Sequence, residues 1–310
     1  MKICISKSTY DSFKSDFDRT CQGDDFILLD SEGEIASGEG KPDVAFISYE
    51  LMFKSLRSEE FFHKYLELIK GCSFVQGSWA GIETKEAQKL IQNSKTFCHG
   101  GGIHAIPIAT YVFAQMLRSI KSIDEHIDLQ KNKNWKQITT VGELTDMTIG
   151  ITGFGGIGQE VAITLAQQGF SIIAHYNSNK AGAEKTLNEI QKNGGDAQII
   201  SFDISNKDQC HNILNKHMQE HGAFYGIVNN AGIAKDVVFP SMEHKDWDQV
   251  LRTNLDSFYN VIQPCTLPMI QTRKGGRIIT LASISGLVGN RGQVNYSAAK
   301  AGIIGASKAL

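Results

Sequence analysis

Tyr296 and Lys300, four residues apart, are the residues of this chain whose types and spacing most directly suggest catalysis. In a helix this spacing places both side chains on one face, where an ammonium can stabilise a phenolate and lower the tyrosine pKa from about 10. Such a pair can donate a proton to a carbonyl oxygen that is being reduced by hydride transfer. Ser283 lies thirteen residues upstream of Tyr296, just after the predicted strand segment 276–282, and its hydroxyl could hold the substrate carbonyl.

Each of these residues also has a purely structural interpretation. A Tyr-x-x-x-Lys spacing is common on helices of every kind, and Ser283-Ile-Ser-Gly is favourable turn chemistry. The run Asn229-Asn230-Ala231-Gly232 closes a predicted strand, and Asn254 lies within a predicted helix; taken alone, either would be a turn or surface feature. Their combination with the tyrosine, the lysine and the serine favours a reductase site.

A glycine-rich turn between a predicted strand at 148–152 and a predicted helix at 159–168 favours dinucleotide binding. The turn reads Gly153-Phe-Gly155-Gly-Ile157-Gly158. Glycines at this spacing permit a tight turn and a close backbone approach, and the N-terminus of the helix attracts a pyrophosphate. An ordinary glycine turn is the alternative.

The residues after the next predicted strand favour NADP(H) over NAD(H). A site built for NAD places an acidic residue there to bind the ribose hydroxyl. This chain has Asn177 and Ser178 instead, so no carboxylate would repel a 2′-phosphate, and both residues are candidates for cofactor binding. Lys180 is the nearest cation.

Two successive α/β segments supply the elements that must hold these residues. Apolar runs at 2–5, 26–29, 43–47 and 73–75 alternate with amphipathic stretches such as 58–69, which predicts β-α-β units and a parallel sheet. A helical pattern at 106–129 and a polar stretch at 130–140 follow. The second series has predicted strands at 148–152, 171–176, 197–201, 226–228 and 277–281. We therefore predict two α/β domains, 1–140 with a helical arm and 141–310.

Composition argues against several classes of function. A net charge of −2, with 21% charged residues, gives no global attraction to nucleic acid or to an anionic membrane. No apolar run approaches the roughly 18 residues needed to span a bilayer. The six cysteines lack a C-x-x-C spacing, so we expect reduced thiols, no metal site and no disulfide framework. Residues 1–6 are typical of a first strand rather than a signal peptide, and a cytoplasmic location is expected.

From about residue 162 to residue 310 the sequence resembles the short-chain dehydrogenase/reductases, most closely the 3-oxoacyl-[acyl-carrier-protein] reductases. The Asn229 to Gly232 turn, Asn254, Ser283 and the Tyr296/Lys300 pair carry this resemblance. It implies that Tyr296 is the general acid and that Lys300 lowers its pKa and binds the nicotinamide ribose. It also implies that Ser283 orients the carbonyl and that Asn254 holds a water in a proton relay.

The same resemblance implies further contacts and a substrate. Asp203 and Ile204 would flank the adenine, and Asn230, Ala231 and Gly232 would lie along the cofactor. NADPH would reduce a 3-oxoacyl thioester, as a small molecule or linked to acyl carrier protein, in a step of fatty acid biosynthesis. Related reductases associate through the helices that bear the asparagine and the tyrosine, so a homo-oligomer is expected.

Residues 1 to about 158 resemble the D-isomer-specific 2-hydroxyacid dehydrogenases instead. The segment Gln76-Gly-Ser-Trp-Ala-Gly81 is similar to their substrate loop, 104–117 to the helix that leads toward their cofactor domain, and 143–159 to their first strand and phosphate loop. The glycine turn is also one residue shorter than the reductase pattern T-G-x-x-x-G-x-G. These resemblances imply a chimera joined near 158–162, with a flavodoxin-like domain followed by a Rossmann doubly wound parallel sheet.

The reductase family adds two strands and a substrate lid after the catalytic helix. The resemblance therefore predicts an incomplete Rossmann sheet whose fifth strand lies at an edge. Three functions remain open: NADP-dependent reduction of a 3-oxoacyl thioester, dinucleotide binding by a catalytically inactive chimera or fragment, and oxidation of a D-2-hydroxyacid. For the last, the arginine, acidic residue and histidine that the family needs cannot be placed in this sequence.

Overall fold

The structure is a computed structural model that describes residues 1–79, 85–138, 142, 144 and 147–310. It divides into two units, Met1–Ile103 and His104–Leu310. The end of the predicted substrate loop, at 80–81, lies outside the described residues, as do 143, 145 and 146 of the segment 143–159.

The first unit contains a sheet whose described strands run in the order β3-β2-β1-β4-β5-β6, parallel except for the pair β2 and β3. Its strands are β1 Lys2–Ser6, β2 Asp25–Leu29, β3 Ile35–Ser37, β4 Val44–Ile47, β5 Phe74–Gly77 and β6 Phe97–Cys98. Its helices are α1 Lys7–Ser12, α2 Lys14–Thr20, α3 Tyr49–Arg57, α4 Glu59–Ile69 and α5 Lys85–Asn93. Counted among the parallel strands alone, this is the flavodoxin-like order, as predicted.

Helix α4 illustrates how the first unit builds its core. The Ser58 side chain caps the helix by accepting the Phe61 N–H at 3.2 Å, and Glu59 and Glu60 place negative charge at its positive end. Its buried side chains recur at helical spacing and join the core cluster: Phe61, Phe62, Tyr65, Leu66 and Ile69. The amphipathic pattern at 58–69 therefore predicted this helix and its buried face.

The second unit contains a parallel sheet in the order β11-β10-β7-β8-β9. Its described strands are β7 Thr148–Thr152, β8 Ser171–Tyr176, β9 Ala197–Ser201, β10 Gly226–Asn229 and β11 Arg277–Thr280. The chain leaves the sheet in opposite directions from β7 and β10, and the crevice at such a switch point is where open α/β sheets bind ligands. Asn229 pairs in register with both Thr152 and Thr280, so three strands end at the same level. The predicted Rossmann order is confirmed, and β11 lies at a sheet edge.

The helices of the second unit are α6 Ala105–Ile120, α7 Ile123–Lys131, α8 Gly156–Gln167, α9 Lys180–Lys192, α10 Lys207–His221, α11 His244–Leu251, α12 Ser257–Gln271, α13 Ser285–Val288 and α14 Val294–Ala309. A π-helical turn, Arg252–Asp256, joins α11 to α12. In the part of the chain that the structure describes, no helix combines the length and the apolar character needed to cross a bilayer.

Helix α6 lies in the second unit, so the division falls earlier than the predicted boundary at residue 140. The apolar face of α6 explains why this helix belongs to the second unit. Its residues Val112, Met116 and Ile120 pack in one cluster with Ile149 of β7 and Leu165 of α8. The single helix predicted at 106–129 is also two helices, since Ser122 adopts a left-handed conformation with φ of 48° between them.

Candidate active site

Two glycines give the phosphate loop after β7 its shape. Gly153 has a φ of +77°, and a Cβ there would lie 2.5 Å from the Ala231 Cα atom. A Cβ on Gly158 would lie 2.2 Å from the Gly153 carbonyl oxygen, so α8 can pack against the loop only with glycine there. Side chains are excluded from both positions by backbone atoms rather than by flexible side chains.

The N-terminus of α8 is suited to an anion. Gly155 caps the helix without a side-chain hydrogen bond and is exposed, while Ile157 packs its side chain against the core. The first backbone N–H groups of α8 and the helix dipole are therefore available to an anion, and the Gln159 side-chain nitrogen donates to the Phe154 carbonyl oxygen of the loop at 3.2 Å. The predicted pyrophosphate site fits this cradle.

Side chains from the end of β10 brace the phosphate loop. The Thr152 hydroxyl donates to the Asn229 side-chain oxygen at 3.0 Å, and the Asn230 side-chain nitrogen donates to the Gly153 carbonyl oxygen at 2.6 Å. Asn230 N–H also donates to the Thr152 hydroxyl at 3.2 Å. The structure therefore brings the predicted Asn229 to Gly232 turn directly against the glycine loop.

The residues predicted to select the cofactor lie at the exposed end of β8. Asn177 and Ser178 are both exposed, and no carboxylate occupies either position. Lys180, the nearest cation, forms an ion pair with Glu184 at 3.4 Å on the surface of α9. Its ammonium is thus turned along its own helix.

Asp203 and Ile204, predicted to flank the adenine, follow β9. One carboxylate oxygen of Asp203 accepts hydrogen bonds from the Ser205 N–H at 2.9 Å and the Ser205 hydroxyl at 2.7 Å. The Ile204 side chain is buried in the core, so only its backbone could meet a bound nucleotide.

Ser283, Tyr296 and Lys300 come together as predicted. Ser283 lies between β11 and α13, and the other two lie on α14. The Ser283 and Tyr296 side chains hydrogen-bond each other. The Lys300 ammonium lies 5.6 Å from the centre of the Tyr296 ring. Serine hydroxyl, phenol and ammonium thus adjoin one another at the carboxyl end of the sheet.

The electrostatics of the pair differ from the sequence-based expectation. Burial raises the pKa of Tyr296, the Ser283 hydrogen bond opposes this, and the Asp236 carboxylate adds to it. Burial also lowers the pKa of Lys300 to about 8. The pKa of Tyr296 in the chain by itself therefore lies above its usual value rather than below it, because both groups are withdrawn from water and desolvation disfavours both charged forms.

Asn254 lies in the π-helical turn, a geometry that often marks functional sites. Its side-chain nitrogen donates to the carbonyl oxygens of Val250 at 2.8 Å and Ile233 at 2.9 Å. Its side-chain oxygen is buried and has no hydrogen-bond partner among the described residues. A Cβ on Gly232 would lie 2.5 Å from this oxygen and 3.6 Å from the Lys300 ammonium. The unpartnered oxygen and the lysine therefore border the same small space.

Asn295 is a site residue that the sequence reasoning missed. It is fully buried; its side-chain oxygen accepts the Tyr296 N–H at 2.7 Å, and its nitrogen donates to the carbonyl oxygens of Lys235 and Asp246, each at 3.2 Å. The available signal was an asparagine directly before the tyrosine near the start of a helix, where such side chains bind backbone groups.

Comparison with known proteins identifies relatives of the second unit. The family model for short chain dehydrogenases matches residues 147–310. This match begins before residue 162, where the predicted resemblance started, and so includes β7 and the glycine loop.

Several curated relatives are named 3-oxoacyl-[acyl-carrier-protein] reductase. One, from Aggregatibacter actinomycetemcomitans, is 51% identical over 164 residues, 53% of this chain and 68% of the relative. Another, from Staphylococcus aureus (strain Mu50), is 38% identical over 153 residues, 49% of this chain and 62% of the relative. A third, from Synechocystis, is 34% identical over 168 residues.

The matched regions thus span 68% of the first of these relatives and 62% of the second. More than half of this chain fits the family model, and that half holds the glycine loop and the Tyr296/Lys300 pair. The chain belongs to the short-chain dehydrogenase family.

Proposed function

We propose that the chain is an NADP-dependent carbonyl reductase that converts a 3-oxoacyl thioester on acyl carrier protein into the 3-hydroxyacyl thioester. The observation that carries this proposal is the junction of Ser283, Tyr296 and Lys300 at the carboxyl end of a sheet whose phosphate loop fits a dinucleotide. The substrate class is taken from the names of the curated relatives.

Each member of the trio has one role in this proposal. Bound NADPH would supply the hydride that adds to the carbonyl carbon. The Tyr296 hydroxyl donates its proton to the carbonyl oxygen, and the Ser283 hydroxyl donates a hydrogen bond to the same oxygen. The phenolate left on the tyrosine is stabilised by the Lys300 ammonium beside its ring.

Asn254 serves the return of the proton. Its unpartnered oxygen and the Lys300 ammonium border one space, so a water held by the asparagine can pass a proton to the lysine and from there toward the tyrosine. A buried amide oxygen is costly to leave without a partner, which supports a bound water as its complement.

The dinucleotide cofactor is proposed to bind along the glycine loop and the turn after β10. The N-terminus of α8 with Gly153, Gly155 and Gly158 takes the pyrophosphate, and the Asn230 to Gly232 turn lies along the remainder. NADP is favoured over NAD because Asn177 and Ser178 bring no negative charge. A Ser178→Asp variant is expected to lose affinity for NADPH relative to NADH by about tenfold, measured by fluorescence titration.

The test of the reaction uses a paired substitution. Tyr296→Phe is expected to lower the turnover of acetoacetyl-acyl carrier protein by at least about a hundredfold, with the NADPH dissociation constant within about twofold of the parent value. Tyr111→Phe is the matched control, because Tyr111 is 66% exposed on α6.

Equal turnover by Tyr296→Phe and the parent would contradict the proposed role of the tyrosine. NADPH binding by the parent without any turnover would instead favour the alternative of an inactive dinucleotide-binding protein.

For the first unit we propose a 2-hydroxyacid-dehydrogenase-like origin. The flavodoxin-like strand order supports this, as does the Gln76 to Trp79 segment, which begins within β5 and continues past its end. The short-chain dehydrogenase match begins at residue 147, so we propose that the two segments of the chain join before that residue rather than near 158–162. Cofactor-dependent oxidation of D-lactate or D-glycerate would show that the chain acts as a D-2-hydroxyacid dehydrogenase. No oxidation of either compound, together with turnover of acetoacetyl-acyl carrier protein, would support the reductase.

A homo-oligomer is proposed through α12 and α14. Tyr259, Leu267 and Ile270 of α12 are exposed large side chains that line one apolar groove. Leu267→Glu is expected to give monomers by light scattering, with the groove on the exposed face of α12 unable to accept a second chain. A parent chain that is itself monomeric would contradict this proposal.

A further inference from the structure

His175 is a buried histidine at the end of β8 whose ring connects two parts of the predicted cofactor site. Its Nε2 atom lies 2.7 Å from the Phe202 carbonyl oxygen, and its Nδ1 atom accepts the Gly153 N–H at 3.4 Å. Gly153 shapes the phosphate loop, and Phe202 immediately precedes Asp203, predicted to flank the adenine. The side chain is 3% exposed, so water does not replace either bond.

These two contacts fix the protonation state of the ring. A carbonyl oxygen can only accept, so the proton of a neutral imidazole must lie on Nε2. Nδ1 then has a free lone pair, which is what the Gly153 N–H requires. An imidazolium carries protons on both nitrogens, and its Nδ1 proton would be directed at the backbone proton of the glycine. The cationic ring and this loop conformation are therefore incompatible.

We propose that His175 is a positioning residue for the dinucleotide phosphate loop, and that acid weakens cofactor binding by protonating its ring and releasing Gly153. The proposal rests on the dinucleotide site of the proposed function but not on the reduction step. Its ligand is a pyrophosphate-containing nucleotide cofactor. The residue acts through the loop backbone and makes no contact with the reacting atoms.

The surroundings of the ring agree with a neutral state near pH 7. Burial lowers the pKa of His175, while the Phe202 hydrogen bond and the Asp203 carboxylate act in the opposite direction. Apolar side chains line the cavity beside the ring, among them Leu214 of α10, Val261 of α12, and Phe224, which lies between α10 and β10. These cannot solvate a cation.

The titratable groups facing the ring are few. Asp203 approaches from the segment after β9, and Cys265 of α12 lines the same cavity. The end of β7 and Gly153 bring no ionisable side chain. Asp203 is the acid that acts on the ring. The described residues that line the cavity include no aspartate or glutamate that could retain a protonated His175.

The experiment measures NADP⁺ binding at pH 7.5 and pH 5.0 for the parent, His175→Gln and His175→Phe. Relative to His175→Gln, the parent is expected to lose at least about threefold more affinity between the two pH values, because only the parent ring titrates. The 2′-phosphate of the ligand titrates equally in both and cancels from the comparison. At pH 7.5 His175→Phe is expected to bind about threefold to tenfold more weakly than the parent, since the Gly153 N–H loses its acceptor. His175→Gln keeps an acceptor oxygen and is expected to bind within about threefold of the parent at this pH.

His217→Gln is the matched control. His217 is also buried, burial also lowers its pKa, and its ring stacks on Phe224 at 5.2 Å rather than on the loop. The control is expected to keep the parental pH dependence. Circular dichroism at both pH values shows whether each variant is folded.

A second measurement uses the parent chain alone and needs no substitution. The ¹⁵N shifts of His175 are expected to report the Nε2–H tautomer, and saturation with NADP⁺ is expected to lower the pH at which its ring titrates. The proposal is overturned if the parent and His175→Gln lose affinity equally, or if NADP⁺ leaves that titration unchanged. Lack of turnover with acid-sensitive binding would contradict the reductase alone, so the two failures are distinguishable.

Discussion

The Lys300 ammonium donates a 2.7 Å hydrogen bond to the Leu281 carbonyl oxygen. This bond ties α14 to the segment directly after β11, which also carries Ser283. Because Lys300 is 4% exposed, the bond fixes a buried charge at the place where a proton donor is needed. The same burial makes the charged lysine unfavourable for the folded state.

Replacement of this lysine is therefore expected to stabilise the fold. Folding shifts the Lys300 pKa from 10.5 to about 8, which corresponds to about 3 kcal/mol against the folded state at pH 7. Lys300→Met keeps the length of the side chain and removes the charge, at the loss of one hydrogen bond. We expect the free energy of unfolding to rise by about 2 kcal/mol at pH 7, measured by urea denaturation.

The pH dependence of that gain gives the control. Below pH 8 the lysine is charged in both states and its unfavourable contribution is complete; from pH 8 to 10.5 the folded state binds fewer protons, and the contribution disappears. The gain from Lys300→Met should therefore shrink toward pH 10. Lys308→Met, at an exposed position on the same helix, should change little at any pH. Destabilisation by Lys300→Met at pH 7 would contradict the argument.

The same lysine predicts how reduction depends on pH. As pH rises through about 8, the ammonium beside the Tyr296 ring loses its proton and no longer stabilises a phenolate. We expect kcat/KM for reduction to be level below this value and to fall about tenfold per pH unit above it. Steady-state kinetics from pH 6 to 10 at saturating NADPH test this, and a level profile to pH 10 would contradict it.

The sequence predicted those helices and strands whose apolar residues form a periodic pattern over a short stretch of chain. Helix α4 and the five strands of the second unit follow from residues close in sequence. Strand β3 was missed because all three of its residues are exposed, and β6 because it is two residues long. Neither offers enough apolar residues to form a periodic pattern.

Site residues followed the same division. Tyr296 and Lys300 were identified because a helix brings them together across four residues. The bonds from Asn295 to Lys235 and Asp246, and from His175 to Gly153, join residues far apart in sequence, and no spacing indicates them. The pKa of Tyr296 was misjudged for a related reason, since burial is a property of the whole fold.

Gly153 of the phosphate loop and Gly169, which lies between α8 and β8, form a matched pair for testing the role of close packing. Gly153 and Gly169 have φ of +77° and +91°, but a Cβ on Gly153 would lie 2.5 Å from Ala231 backbone, whereas a Cβ on Gly169 would have nothing within 4 Å. Gly169→Ala is expected to lose about 1 kcal/mol of stability from backbone strain, with NADP⁺ affinity unchanged.

Gly153→Ala adds the steric clash to the same strain. We expect a larger loss of stability than for Gly169→Ala and a fall of at least about tenfold in NADP⁺ affinity, because the loop must move away from Ala231. Urea denaturation and ligand titration measure the two effects. Equal behaviour of the two variants would show that the contact with Ala231 does not shape the cofactor site.

Substitution of Asn295 tests whether the contacts of α14 with Lys235 and Asp246 hold Tyr296 in position. One fully buried amide satisfies the Tyr296 N–H and the carbonyl oxygens of Lys235 and Asp246. Asn295→Ala leaves these three groups unpaired, so we expect a loss of about 2 to 4 kcal/mol in the free energy of unfolding. Because α14 is then free to shift, kcat for reduction should fall about tenfold, with the NADPH dissociation constant unchanged.

Two further variants separate the hydrogen bonds of this amide from its volume. Asn295→Asp keeps the size and the acceptor for the Tyr296 N–H but turns a carboxylate oxygen toward two carbonyl oxygens, so it should be destabilised nearly as much as Asn295→Ala. Asn290→Ala removes an exposed amide that donates to Gln293 at 3.0 Å, and should change neither stability nor kcat. If Asn295→Asp retained parental stability and kcat, the two carbonyl contacts would not hold α14 in place, and the position of Tyr296 would depend on Ser283 and Lys300 alone.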